Sequence, residues 1–287
     1  MTGVDRIVSP ALSRPRRPAY AARVNAKEAT AYVRRHLPWL ALPLAPAQGL
    51  WVTRRVPRLA EAEGRDGVVG EGDRRLHVVA VGDSVTAGYA VAHHRSTVAG
   101  GLAARLAQRY GARVTWGVCA KSGSTAGTAL ALLDPEVLAE ADLIFTSIGV
   151  NDAKNGHSAA RFRREVGALF DAVLAAAPRA SVCLLGVPPL EHFPALPRPL
   201  ADVLGWRGRV FDAIAKSEAE ARGRMFRIEP DGPLGLEMFA EDGFHPSETL
   251  HAAFADAVMA QLEAGAATYW SAGSVGSVGS VGSVTSE

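Results

Sequence analysis

The segment Leu-His-Val-Val-Ala-Val-Gly, residues 76–82, is followed directly by Asp83-Ser84 and decides the fold of this chain. The run from Leu76 to Val81 is short, largely apolar and closed by a glycine, as is typical of strands covered on both faces. Four further runs of this kind follow it, at Arg113 to Cys119, Leu143 to Ile148, Ser181 to Val187 and Arg224 to Ile228. The repetition predicts a sheet of five strands.

Helical patterns separate these runs. Val98, Leu102 and Leu106 recur every four residues, and Gly111 is placed to end their helix. Further helices are predicted to begin near the capping residues Asp134, Ser158 and Ser247. Strands that alternate with helices pair in parallel through right-handed crossovers, so the expected fold is α/β, a three-layer α/β/α sandwich. In such sheets, ligand sites form at the carboxyl ends of the strands.

Polar motifs follow three of these strands. Gly82-Asp83-Ser84 places a serine on a tight strand-to-helix turn, where its side chain and its own N–H face the cleft. The stretch from Ser122 to Gly127 is rich in small residues, so a glycine N–H can donate to a substrate oxyanion. Gly149-Val150-Asn151-Asp152 offers the Asn151 amide as a fixed donor. Each motif by itself is equally compatible with an ordinary turn or helix cap.

A fourth motif, Asp242-Gly243-Phe244-His245-Pro246, precedes the last helix. A carboxylate three residues before an imidazole can accept a hydrogen bond from its Nδ1–H, which leaves Nε2 free to take a proton. Taken together, the four motifs place a nucleophile, a base with its orienting carboxylate and three anion donors at one end of one sheet. The combination predicts a serine hydrolase with Ser84 as nucleophile, His245 as general base and Asp242 as its orienter.

These motifs resemble those of the SGNH hydrolases, also called the GDSL esterase/lipase family, over about residues 76–265. The four signature residues of that family match, in order, Ser84, Gly123, Asn151 and His245. The resemblance implies a flavodoxin-like fold whose parallel five-stranded sheet has the order 2-1-3-4-5. It also implies an oxyanion hole formed by Ser84, Gly123 and Asn151. Asp83 and Asp152 are expected to support their loops by hydrogen bonding rather than act as catalytic acids.

The expected activity is hydrolysis of a small-molecule carboxylic ester through an acyl-enzyme, with no metal or cofactor. The apolar stretch from Gly186 to Leu190, beside the predicted cleft, favours a lipase- or acylesterase-like preference. A carbohydrate O-deacetylase that uses the same residues is the alternative within enzymes. A catalytically idle binding protein on the same fold is an alternative from another class. No phosphate-binding sequence follows Gly82, which argues against a nucleotide-binding protein.

The composition of the chain excludes further classes of function. A formal net charge of +2 over 287 residues argues against a dedicated nucleic-acid binder. Cys119 and Cys183 both lie in apolar runs and are expected to be buried free thiols, with no disulfide framework or metal-ligand spacing. His157 and His251 lie outside the four motifs. His157, six residues after Asn151, could line the cleft but is expected in an exposed loop, and His251 is expected to be exposed on the last helix. The sequence makes no prediction of the oligomeric state.

The two ends of the chain differ from its centre. Residues 1–70 are predicted to be an N-terminal extension, partly disordered, with an apolar strap at 37–52 and a linker from Glu61 to Arg75. The hydrolase domain is predicted at 71–266 and a disordered Ser-Val-Gly tail at 267–287. The strap contains three prolines and is shorter than the ~18 apolar residues of a membrane-spanning helix. We expect a cytoplasmic protein; export, or contact of 37–52 with a membrane surface, is the alternative.

Overall fold

A computed structural model describes residues 43–55, 57–229 and 235–265 of the chain. The predicted tail at 267–287 and the part of the predicted extension at 1–42 lie outside these residues. The structural statements below concern the described ranges.

The central sheet has six strands in the order β1-β3-β2-β4-β5-β6. They are β1 Gly67–Val69, β2 Arg75–Gly82, β3 Arg113–Ala120, β4 Leu143–Ser147, β5 Ser181–Leu185 and β6 Met225–Ile228. Strands β2 to β6 all pair in parallel. Counted without β1, their order is the predicted 2-1-3-4-5, and the predicted α/β fold is confirmed.

Strand β1 is an addition to the five strands that the sequence predicts. It pairs antiparallel with β3 and lies inside the stretch from Glu61 to Arg75 that the sequence assigns to a linker. The sequence does not predict this strand, because three residues that include a glycine are too few to show the alternation of apolar and polar side chains. The glycine has a packing role: a Cβ on Gly67 would lie 2.1 Å from the Trp116 ring of β3. The indole Nε1–H of Trp116 then donates to the carbonyl of Gly64.

Helices cover both faces of the sheet. They are α1 Leu44–Arg55, α2 Val98–Tyr110, α3 Ala126–Ala129, α4 Pro135–Ala139, α5 Val150–Lys154, α6 Ala159–Ala176, α7 Leu200–Glu220 and α8 Glu248–Glu263. Val78 and Ala80 of β2 pack in one core with α2 and α8. Val79 and Val81 pack in the opposite core with α3, α4, α6 and α7. This alternation along β2 is the physical basis of the three layers.

The predicted helix ends at Gly111, Asp134, Ser158 and Ser247 are confirmed by the caps that these residues form. The longest helix, α7, is missing from the sequence prediction. Gly205 and Gly208 lower the helix propensity of its first half and interrupt the apolar pattern. Gly205 allows close packing, since a Cβ there would lie 2.2 Å from the Glu191 carboxylate.

The register of the three central strands brings their carboxyl ends to one level. Gly82 of β2 pairs with Ala120 of β3 on one side and with Ser147 of β4 on the other. A side chain at position 82 is excluded, because its Cβ would lie 2.0 Å from the Ser147 carbonyl oxygen and φ is +136°. The loops that begin just after these three residues carry the first three motifs. Their convergence therefore follows from strand pairing.

Helix α1 contains most of the described part of the predicted strap. It packs through Ala45 and Val52 on an apolar cluster that includes Phe193 and Phe239. The Gln48 side chain adds two polar contacts, because it donates to the Arg198 carbonyl and accepts from the Leu200 N–H. None of the helices in the described ranges combines the length and the apolar character needed to cross a bilayer. Cys119 and Cys183 are buried free thiols, as predicted.

Candidate active site

The turn before α8 joins Asp242 and His245 directly. His245 Nδ1 lies 2.6 Å from one carboxylate oxygen of Asp242. The other oxygen accepts hydrogen bonds of 2.9 Å from the backbone N–H groups of Phe244 and His245. A carboxylate on this side of the ring favours the tautomer with the proton on Nδ1, so Nε2 is left as the acceptor.

Asp242 is held in its charged form. Burial raises its pKa, but the hydrogen bonds from the His245 ring and from two backbone N–H groups outweigh burial, so the pKa lies below its ordinary value. The residue is buried and its side chain is shielded from water. A negative charge fixed beside Nδ1 stabilises the imidazolium that forms when His245 accepts a proton.

The His245 ring lies between two aromatic side chains. The Tyr89 ring centroid is 4.3 Å from that of His245, and the Phe244 centroid is 5.2 Å away. The Tyr89 hydroxyl accepts a hydrogen bond of 2.8 Å from the Leu59 backbone N–H. Sequence reasoning missed Tyr89, although its distance of five residues from Ser84 on the same loop could have suggested it. Its contacts restrict the orientation of the base.

Ser84 lies just after β2 and is 9% exposed. Its side chain and the His245 ring line the same pocket. Within the described ranges, no hydrogen bond joins the Ser84 hydroxyl to the His245 ring, so the structure brings the two residues to one cleft without completing their contact. Contacts of this kind are often long without substrate and shorten when it binds.

Gly123 and Asn151 lie on two neighbouring loops that are joined by a side-chain contact. Asn151 is the second residue of α5, is buried, and donates one amide hydrogen bond of 3.0 Å to the carbonyl of Ser124. Because an amide carries two N–H donors, the second remains for a ligand. Gly123 has φ +84°, a conformation that favours glycine. The Asn151 contact thus ties the Gly123 loop to the end of β4.

Two acidic residues hold this loop from opposite sides. Asp152 accepts a hydrogen bond of 3.0 Å from the Ala126 N–H at the start of α3. On the other side, Glu61 accepts one of 2.7 Å from the Ser122 N–H, directly beside Gly123. Sequence reasoning missed Glu61, because no spacing rule connects it to a residue about sixty positions away. Glu61 also forms an ion pair of 3.3 Å with Arg65.

Asp83 lies beneath the Ser84 turn. It is buried, and one carboxylate oxygen accepts from the Val85 N–H at 3.1 Å and from the Ser147 hydroxyl at 3.1 Å. Burial raises the pKa of Asp83 to about 7, against the effect of these two hydrogen bonds. Its contacts are those of a residue that connects the ends of β2 and β4.

His157 and His251 are not on exposed surfaces, contrary to expectation. His251 is fully buried on the inner face of α8, which it shares with Phe254, and its Nδ1 accepts from the Val98 N–H. Burial lowers its pKa to about 3. His157 has a side chain that is 11% exposed, and its Nδ1 lies 3.0 Å from Asp152. In both cases a tertiary contact, which the sequence does not reveal, covers the ring.

The same part of the structure offers one group of potential metal ligands among the described residues. Ligand atoms of Asp152, His157 and Glu165 lie within 4.8 Å of one another. The 3.0 Å contact between His157 and Asp152 is a normal hydrogen-bond distance. Burial raises the pKa of Asp152 above its usual range, against the hydrogen bonds from Ala126 and His157. These contacts account for the group as a hydrogen-bonded support of the Asn151 loop.

The pocket beside Ser84 and His245 has a mainly apolar lining. Leu185 and Pro188 come from the end of β5 and the loop after it, and further apolar side chains come from the Phe193 segment, the turn before α8 and α8 itself. The remaining apolar lining residues are Val85, Val150, Phe193, Phe239, Phe244, Pro246, Leu250 and Phe254. An apolar wall next to a nucleophile and a base is suited to bind the hydrocarbon part of a substrate.

A model of the GDSL-like Lipase/Acylhydrolase family matches residues 80–253, more than half of the chain. The match begins within β2 and ends within α8, so it contains all four motifs. A search of curated proteins finds no match to the chain.

Several solved structures are similar to this chain in fold. A lipase, Lip_vut3, from a goat rumen metagenome aligns over 64% of this chain and 96% of its own, with 18% identity and a TM-score of 0.55. A lipase/acylhydrolase from Enterococcus faecalis aligns over 66% and 96%, with 21% identity and a TM-score of 0.51. Est24, a carbohydrate acetylesterase from Sinorhizobium meliloti, aligns over 66% and 99%, with 19% identity and a TM-score of 0.46. The first two alignments show a shared fold.

Proposed function

The chain belongs to the GDSL-like lipase/acylhydrolase family, a family of hydrolases, and on this premise we propose that it cleaves carboxylic esters through an acyl-enzyme on Ser84. The observation that carries the proposal is the 2.6 Å contact between His245 Nδ1 and Asp242, with Ser84 in the same pocket. This contact leaves His245 Nε2 free to act as the base. A family match alone does not supply such an arrangement.

In the first step, His245 Nε2 takes the proton of the Ser84 hydroxyl while the oxygen attacks the ester carbonyl carbon. The new C–O bond places the carbonyl electron pair on the oxygen. Asp242 stabilises the imidazolium. His245 then gives the proton to the leaving alcohol, and the acyl group stays on Ser84. Water, deprotonated by the same ring, releases the acid and restores the hydroxyl.

The negative charge of each tetrahedral intermediate is bound by donors from three loops. These are the backbone N–H groups of Ser84 and Gly123 and the free amide N–H of Asn151. Their support comes from the Asn151 contact to Ser124 and the Glu61 contact to Ser122. Donors held in place before the reaction cost no reorganisation when charge develops, which is why they lower the barrier.

A mainly apolar substrate fits the pocket. Phe193, Phe239 and Phe244 form an aromatic group with ring centroids 5.1 and 5.2 Å apart, which makes one wall beside the catalytic residues. Few polar groups of the lining are available to pair with sugar hydroxyls, and an unpaired buried hydroxyl costs free energy. An acyl chain is therefore the better occupant of this wall.

The test is covalent labelling with a fluorophosphonate probe, followed by an ester panel. The native chain should be labelled once, Ser84→Ala should not be labelled, and Ser217→Ala, which removes an exposed serine on α7, should be labelled normally. Persistent labelling of Ser84→Ala would identify another nucleophile and overturn the proposal. Higher kcat/KM for longer p-nitrophenyl esters than for an acetylated sugar supports the acylesterase, and the reverse order supports the O-deacetylase.

A further inference from the structure

Helix α1 presents an apolar face to solvent. Ala45 and Val52 are buried against the protein, whereas Leu44 is 56%, Leu50 53% and Trp51 50% exposed. Leu44, Trp51 and Arg54 follow the i, i+7, i+10 spacing, so they share one side of the helix. The Arg55 guanidinium lies 5.1 Å from the centre of the Trp51 ring. Exposed aromatic and aliphatic side chains beside arginines can contact both the apolar part and the charged headgroups of a bilayer interface.

Further exposed apolar side chains lie on elements that share a buried cluster with α1. Seven large hydrophobic side chains are prominently exposed in the described ranges, and five of them lie on α1, α7 and the short helix at Leu236–Met238: Leu44, Leu50, Trp51, Trp206 and Leu236. All three elements contribute residues to the cluster that contains Phe193 and Phe239. Both phenylalanines also line the pocket. Buried contacts therefore connect α1 with the apolar lining of the pocket.

Charge is distributed very unevenly along the sequence. Residues 1–55 contain ten Lys and Arg against two Asp and Glu, a formal charge of +8. The remaining 232 residues contain 21 against 27, a charge of −6, and the two parts together give the net +2. A balanced total thus conceals a strongly basic segment that ends in α1. Such asymmetry indicates an anionic partner.

We propose that the exposed face of α1 docks this protein on an anionic lipid surface. Arg54 and Arg55 would bind the headgroups, while Leu44, Leu50 and Trp51 enter the interface. The apolar side chains favour lipid over a nucleic acid, whose backbone offers nothing for leucine to contact. Arginines on the same face favour lipid over a second copy of α1, where like charges would meet. This docking goes beyond the proposed catalytic function and does not require it.

The experiment is flotation of the full chain with vesicles, in the Ser84→Ala background so that hydrolysis cannot alter them. Vesicles of phosphatidylcholine alone are compared with vesicles that also contain phosphatidylglycerol, at low and high salt. We expect binding to the anionic vesicles, weakened by salt. The double variant Leu44→Ser/Trp51→Ser should lose about tenfold or more in binding, because two interfacial apolar side chains are removed.

The matched control is Val68→Ser/Leu130→Ser, which removes two exposed apolar side chains that lie outside the Phe193 cluster. It should bind as the parent does. Arg54→Gln/Arg55→Gln should lose part of the preference for anionic vesicles. Matching thermal unfolding curves establish that each variant is folded. Equal binding by the parent and by Leu44→Ser/Trp51→Ser would overturn the proposal, as would equal losses in the matched control.

Two further outcomes also contradict the proposal. Tighter binding to duplex DNA than to anionic vesicles would assign the basic segment to a nucleic acid. A native dimer that Leu44→Ser/Trp51→Ser converts to a monomer, without vesicle binding by either, would assign the face to a second copy. Hydrolysis of soluble p-nitrophenyl acetate by the chain with Ser84 is measured separately. Failure of that reaction with intact vesicle binding would affect the catalytic proposal alone.

Discussion

The two halves of the candidate active site are built in different ways. The base side is local: Asp242 and His245 lie in one turn, and all three hydrogen bonds to the carboxylate come from residues 244 and 245. The anion side is assembled from loops after β2, β3 and β4, and its contacts join residues such as Glu61 and Ser122 that are far apart in sequence. A short turn forms its own geometry, whereas separate loops depend on the whole sheet.

Two of the buried aspartates, Asp242 and Asp83, also differ. Asp242 accepts three hydrogen bonds, and its pKa lies below the ordinary value although burial opposes this. Asp83 accepts two hydrogen bonds. At this residue the effect of burial is larger than that of the hydrogen bonds, so the pKa is raised to about 7. Burial raises the pKa of both carboxyls, and only at Asp242 do the hydrogen bonds from the His245 ring and two backbone N–H groups outweigh it. Four substitutions test this comparison, beginning with the largest expected loss of turnover.

Replacing the orienting carboxylate should have the largest effect. Asp242→Asn removes the charge beside Nδ1 and favours the wrong tautomer of His245, so kcat should fall by about 10⁴. Steady-state hydrolysis of a p-nitrophenyl ester measures it. Glu241→Gln, at the exposed neighbouring position, is the control and should retain activity. A loss of less than about tenfold in Asp242→Asn would show that the turn does not orient the base.

Removing one anion donor should have an intermediate effect. Asn151→Ala deletes the amide and also its contact with Ser124, so kcat should fall by roughly 10² to 10³. Asn155→Ala, which alters an exposed asparagine after α5, should leave turnover unchanged. If Asn151→Ala turns over at the native rate, Asn151 has no part in binding the oxyanion.

Removing Glu61, which supports the Gly123 loop without touching the substrate, should have a smaller effect on kcat. Glu61→Ala removes the hydrogen bond to the Ser122 N–H beside Gly123, and we expect kcat to fall about 3- to 10-fold with KM nearly constant. Glu61→Gln keeps an acceptor and should recover part of the loss. Glu63→Ala is the exposed control. A rise in KM alone, or no rescue by glutamine, would contradict positioning of the anion donors.

The smallest effect on turnover is expected at Asp83. Asp83→Asn keeps a neutral acceptor for Val85 and Ser147, so hydrolysis should change little. The substitution should instead change how the free energy of unfolding depends on pH. Because folding raises the pKa from 3.8 to about 7, the folded protein holds a proton that the unfolded chain has released in this range. The native free energy of unfolding should therefore fall, relative to Asp83→Asn, as pH rises from about 4 to 7.

Urea unfolding of both proteins across this pH range measures the difference. Other buried acids contribute equally to the two curves, so their difference isolates Asp83. Curves that stay parallel from pH 4 to 7 would mean that Asp83 is ionised in the folded protein.

Much of the fold could be predicted because the relevant signals are local. The run at 76–82 and its four successors have the composition of buried parallel strands, and Gly111 and Ser247 mark helix ends through their own backbone chemistry. Elements with weak local signals were missed. Strand β1 has three residues, and α7 contains Gly205, which only the close packing against Glu191 explains.

The sequence by itself determined which chemical groups are present and, for Asp242 and His245, their contact, because three residues of separation fix that geometry within one turn. Tertiary structure alone decided the contacts that support the site: Glu61 beside the Gly123 loop, Tyr89 on the His245 ring, and the burial of His251. The physical reason is that a hydrogen bond or ring contact forms wherever the folded backbone brings two groups within a few ångströms. Strand pairing and helix packing set those distances, and sequence separation does not record them.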